Sequence, residues 1–113
     1  MQQSPIFSKT YDLLTWLIPT TTKFPREHRF MLAKFVQETA LQFQENLIEA
    51  SLEKGRNQYK ALGTADINLT KLRFYLRLCA DLKLISPRQY QHVAESTTEI
   101  GRLLGGWRKI QSA

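Results

Sequence analysis

The chain has 113 residues, 42% apolar and 23% charged, with 16 Lys and Arg against 10 Asp and Glu for a net charge of +6. That is the size and composition of one folded domain spanning residues 1–113, not of a disordered segment. Cys79 is the only cysteine, which excludes an intrachain disulfide and a thiolate metal cage.

No run approaches the ~20 apolar residues of a membrane span. The N-terminal MQQSPIFSK has no charged region followed by an apolar one, so no export signal is visible. A cytoplasmic protein is expected. The basic surplus directs attention to anionic partners, nucleic acid first, against the plainer reading that the charge serves solubility.

Ser4-Pro5 opens a first helix over residues 5–22, with Ser4 as N-cap and proline in the first turn, where its missing N–H is harmless. Ile6, Phe7, Thr10, Leu14, Leu17 and Ile18 give it an apolar side. Pro19 is expected to end or kink it, and the pattern leaves Thr20-Thr21-Thr22 open. Phe24-Pro25 starts a second helix over residues 25–54, with a core stripe of Ala33, Val36, Ala40, Phe43, Leu47 and Ala50. A second apolar line, Phe30, Leu41, Ile48 and Leu52, lies well round the helix. Glu27, Glu38, Glu45, Glu49 and Glu53 take the remaining, solvated side. Gly55 is expected to close this helix.

A third helix is expected over residues 57–84, its start weakened by Gly63. Leu62, Ala65, Leu69, Leu72, Leu76 and Cys79 step by three and four along one face, while Ile67, Phe74 and Leu78 lie on the opposite side. Ser86-Pro87-Arg88-Gln89 reads as a capping box that opens a fourth helix over residues 87–110. The core face of that helix is Val93, Thr97, Ile100, Leu103, Leu104 and Trp107, flanked by the small residues Ala94, Thr98, Gly101 and Gly105. Small side chains there would let another backbone come close; Gly105-Gly106 could instead end the helix early. With no strand-like alternation and short links, the fold class is all-α, an antiparallel up-and-down four-helix bundle.

A helix of a small monomer needs one apolar face. Helices two and three each have two, and a short chain has little material to cover the second. Ile67, Phe74, Leu78, Leu41 and Ile48 are therefore expected at contacts between copies of the protein.

Motifs for catalysis are missing from the sequence. Gln89 precedes His92, and Pro25 precedes His28, where a di-iron bundle would place glutamate, and neither histidine has the helical partner of a zinc protease. No nucleophile elbow, phosphate loop or Cys–His combination occurs. The expectation is a protein that is not an enzyme, with no cofactor, metal or small-molecule substrate.

The basic groups say more. Arg73 and Arg77 share one edge of the third helix with Asp66 and Asp81, so Arg77–Asp81 and Asp66–Arg73 pairs are possible. Arg102 and Lys109 share an edge of the fourth, Arg108 follows Trp107, and Lys23, Arg26 and Arg29 cluster where the second begins. Paired arginines could simply fix helix register. Alternatively, assembly multiplies them into a track for phosphates, which the planar guanidinium grips by two oxygens. Trp107 could stack a base or sit in the core.

Three segments carry a family resemblance: Phe24-Pro25-Arg26-Glu27-His28-Arg29-Phe30; Leu72-Arg73-Phe74-Tyr75-Leu76-Arg77-Leu78 with Asp81-Leu82; and Glu99-Ile100-Gly101-Arg102-Leu103-Leu104-Gly105-Gly106-Trp107-Arg108-Lys109. They resemble the accessory variability determinant proteins of diversity-generating retroelements, within the wider four-helix-bundle family encoded in ribosomal RNA intervening sequences. The resemblance implies a homopentameric barrel that binds the reverse transcriptase and nucleic acid, RNA or DNA, and supports mutagenic copying of a template RNA and retrohoming. It makes Arg73, Arg77, Arg102, Arg108 and Lys109 candidates for the functional surface. The alternative is an interaction or structural protein of the wider family with no polymerase partner.

Overall fold

The computed structural model describes residues 4–112, with side chains described through residue 110. It contains four helices and, among the described residues, no strand. Helix α1 is Pro5–Thr22 and α3 is Gly55–Asp81; α4 is Pro87–Ser112. Helix α2, residues 26–52, is composite: a short α turn Arg26–His28, a π-helical turn Arg29–Ala33, then α-helix Lys34–Leu52. Each helix packs on its neighbours in sequence, and α4 returns to α1, so the four form the walls of a bundle. The links are short, which makes sequential helices antiparallel. The 27 residues of α3 span about 40 Å, close to the 44 Å long dimension of the molecule.

One apolar stripe per helix is sealed from water. Leu17 of α1, Phe43 and Leu47 of α2, Leu62 and Leu72 of α3, and Val93, Ile100 and Leu104 of α4 are fully buried. Each such side chain contributes about 1.5–3 kcal/mol before conformational entropy is subtracted. Leu13, Phe24, Leu32 and Ile85 join this core beyond the stripes read from the sequence. Asn68 Nδ2 donates to Asn46 Oδ1 at 2.7 Å, joining α3 to α2.

The helix ends show where local chemistry departs from the simple pattern. Pro19 does not end α1, which runs on to Thr22. The hydroxyls of Thr20, Thr21 and Thr22 donate to the carbonyls of Trp16, Leu17 and Ile18, so this last turn satisfies its own polar groups. Ser4 occupies the N-cap position of α1, but its side chain makes no cap bond. The start of α2 is not continuous α-helix: the π turn carries one extra residue, so that Leu32 and Ala33 face the core while Phe30 and Met31 point to solvent. Ser86 and Gln89 exchange the two capping-box bonds, at 2.8 and 3.1 Å. Helix α4 continues through Gly105 and Gly106, which keeps Trp107, Arg108 and Lys109 helical.

Gly55 does not close α2, which stops at Leu52; it is the first residue of α3, at φ +58°. Helix α3 ends earlier than its apolar pattern, at Asp81, in a Schellman motif: Leu84 N–H donates to the Cys79 carbonyl at 2.9 Å and Lys83 N–H to the Ala80 carbonyl at 3.0 Å. The left-handed residue of that motif is Lys83, at φ 62°, where glycine is usual. Lys83→Gly should therefore raise stability by ~1 kcal/mol, and Gly55→Ala should lower it by about 1–2 kcal/mol. Both shifts are readable as changes in the urea midpoint at constant slope.

Candidate nucleic-acid and assembly surfaces

Charge is divided unevenly between the two halves of the bundle. After Glu53 the chain holds 11 of the 16 Lys and Arg but 4 of the 10 Asp and Glu, a net +7, and the portion through Glu53 is net −1. The α3–α4 side is therefore the basic side, and α2 carries the acidic row Glu38, Glu45 and Glu49.

The five basic residues expected at the functional surface are not equivalent. Arg73 leans across the α3–α4 seam, donating from Nη2 to the Thr98 hydroxyl at 3.3 Å. Arg77 lies one turn further along, 4.0 Å from Asp81, with both side chains well exposed. Asp66 does not pair with Arg73. Its carboxylate lies 3.0 Å from Arg108 Nη1, because the α3–α4 crossing places position 108 beside position 66, and the Arg108 guanidinium sits 6.0 Å over the Tyr59 ring. Arg108 is two-thirds covered and partly structural.

Arg102 turns away from the seam to Glu99, one turn earlier on α4. The hydrogen bond from Arg102 holds the Glu99 carboxyl below the usual carboxylate range. Lys109 is exposed near the end of α4, and Trp107 packs half-buried against Phe7, with ring centroids 6.1 Å apart, instead of standing free to stack a base. The small-residue stripe admits no second backbone within the chain: Gly101 faces the Leu69 side chain, and a Cβ at Gly105 or Gly106 would meet open space.

All five residues expected at contacts between copies face solvent: Phe74 is 69% exposed, Ile67 56%, Leu78 44%, Leu41 41% and Ile48 38%. They form two patches. Ile67, Phe74 and Leu78 occupy the outer face of α3, continued by exposed Leu82 and by Phe35 of α2, whose ring meets Tyr75 of α3 at 6.3 Å. Leu41 and Ile48 lie on the other flank of α2, toward α1. There Gln37 Nε2 donates to the Thr21 hydroxyl at 2.8 Å across the α1–α2 seam, and Tyr11 of α1 is exposed as well. The acidic row of α2 runs between the patches.

His28 is half-exposed and His92 is exposed, the latter with its ring 5.4 Å from Trp16. Among the described residues no group of three His, Cys, Asp or Glu is arranged to hold a metal, and no helix is long and apolar enough to cross a membrane. Burial pushes the Cys79 thiol up to about 11, which leaves it unreactive in the folded chain.

The sequence spacing could have revealed the Glu99–Arg102 pair, three residues apart on one helix. Tyr59 and Thr98 were not predictable as arginine partners, because each contact crosses between helices. Two outcomes follow. Arg108→Ala should lower stability by ~1 kcal/mol, while Arg102→Ala leaves the urea midpoint nearly unchanged. Carboxyl NMR should find Glu99 titrating low in the native protein and returning to the ordinary range in Arg102→Ala. Because the folded pKa is the depressed one, the pair supports the fold above the ordinary carboxylate range, and that support is lost as pH falls through the lowered value.

Comparison with known proteins places this geometry. A crystal structure of a protein of unknown function from the S23 ribosomal protein family of Bacteroides thetaiotaomicron superposes with a TM-score of 0.86. The alignment covers 96% of this chain and 99% of that one at 20% sequence identity, a likeness of fold. No curated protein sequence matches. The family model described as bAvd-like matches residues 5–111. With that match running from the first residue of α1 to within one residue of the end of α4, the chain belongs to the bAvd-like family.

Proposed function

We infer that this chain is a non-catalytic accessory subunit of a diversity-generating retroelement, which holds the reverse transcriptase and nucleic acid together during mutagenic cDNA synthesis and retrohoming. Family membership across residues 5–111 is the observation that carries this reading. Two physical features support it. The basic side formed by α3 and α4 suits a phosphate backbone, since Arg73, Arg77, Arg102 and Lys109 are exposed there. The two apolar patches on α2 and α3 suit self-association in the cytoplasm.

The patches lie on different faces and differ in their charged surroundings. Ile67, Phe74 and Leu78 are bordered by Lys60 and Lys71, whereas Leu41 and Ile48 are bordered by Glu38, Glu45 and Glu49. Unlike faces that complement one another join head to tail, and such contacts close into rings when the rotation permits. A homopentamer is the assembly proposed.

A second reading is an interaction or structural protein of the wider bundle family with no polymerase partner, supported by the S23-family fold likeness. A reverse-transcriptase gene beside this one, and co-purification of the chain with its product, separate the two, since only the first reading expects a complex.

Light scattering should give a mass near five times the 13.2 kDa of one chain. A mass of one chain removes the assembly. Binding to RNA or DNA should fall steeply with salt. The triple substitution Arg102→Ala, Arg108→Ala, Lys109→Ala should flatten that dependence by about one unit of logarithmic slope for each phosphate no longer neutralised. Equal affinity of wild type and triple variant across the titration, with helicity matched by circular dichroism, would remove those three residues from the nucleic-acid role.

A further inference from the structure

Between α3 and α4 lies an open cavity of about 320 Å³ lined by Thr70, Arg73, Phe74, Arg77 and Tyr90. We propose that this cavity takes an unpaired nucleotide, so that the chain binds single-stranded nucleic acid in preference to duplex. The inference rests on the nucleic-acid role proposed above and specifies its ligand.

Two cations and two aromatic rings share one concavity. Arg73 and Arg77 stand one helical turn apart, about 6 Å along the axis, on the α4 side of α3. Neither is tied to a strong anionic partner by the contacts it makes here. Arg73 bonds the neutral Thr98 hydroxyl, and the Arg77–Asp81 gap is 4.0 Å between two side chains about 70% exposed. Exposed pairs of that kind contribute little and yield easily to a phosphate.

The rings supply what phosphate contacts alone do not. Phe74 stands exposed on the α3 wall, and Tyr90 is half-buried on the α4 wall. Inside a duplex a base shows only its edge, whereas an unpaired base offers its π face to an aromatic side chain. Tyr90 also lines the next concavity along α4, whose wall carries the carboxylates Glu95 and Glu99, so a phosphate is directed to the side of Tyr90 where Arg73 and Arg77 stand. A groove with cations at backbone spacing beside exposed rings therefore matches a single strand and mismatches a paired one.

Phe74 belongs both to the assembly patch and to the cavity wall, so the test keeps an apolar side chain there. Fluorescence anisotropy with a labelled oligouridylate and with an RNA duplex of equal length would be measured for wild type, Phe74→Leu, Tyr90→Leu, and Arg73→Ala with Arg77→Ala. Wild type should prefer the single strand by about tenfold or more. Each aromatic variant should lose about tenfold on the single strand alone. The arginine variant should weaken both ligands, and light scattering should return the wild-type mass for Phe74→Leu. Equal wild-type affinity for the two ligands, or aromatic variants that bind like wild type, overturns the inference and leaves the nucleic-acid role standing. Failure of wild type to bind either ligand overturns both.

Discussion

The pairing of α2 with α3 is the contact from which the other faces take their directions. Only Glu53 and Lys54 separate the two helices, and the chain reverses there through Gly55 in a left-handed conformation. The returning helix is then held at three levels: Gln58 Nε2 donates to the Ala50 carbonyl at 2.7 Å beside the turn, Asn68 to Asn46 at mid-helix, and Phe35 meets Tyr75 at the far end. The amide pair matters most for register. Sliding α3 by one turn would leave two polar groups without partners in a half-buried seam, at a cost of about 1–3 kcal/mol for each group so stranded. With register fixed, Leu62, Leu69, Leu72 and Leu76 face inward, and Ile67, Phe74 and Leu78 have no choice but to face out.

Much of this was legible in the chain because helical periodicity is a local signal. The inward stripes of α2 and α3, from Ala33 to Ala50 and from Leu62 to Cys79, are buried at every position the spacing named. The capping box at Ser86 is local too, and it forms as read. The π turn was hidden, since its one-residue insertion is set by the need to seat both Phe24 and Leu32 in the core. Lys83 disguised the end of α3: a left-handed lysine gives no glycine to read.

At the candidate surface, the division between legible and hidden is the same. That arginines cluster on α3 and α4 is a property of the sequence. Which carboxylate each one meets depends on how two helices cross, so Asp66 goes to Arg108 on the other helix and not to Arg73 on its own. The crossing also sorts the arginines by availability. Arg108 is held by a carboxylate, a ring and partial burial, while Arg73 and Arg77 keep their charge at the solvent edge of the seam.

The division of charge along the chain has a consequence before any contact is made. A bundle that carries −1 through Glu53 and +7 after it is an electric dipole on the scale of the whole molecule. In the field of a polyanion such a body rotates while still a Debye length away, about 8 Å at physiological ionic strength, and arrives with α3 and α4 leading. Orientation is thus decided during diffusion, and raising the salt should slow arrival even where it leaves the docked geometry intact.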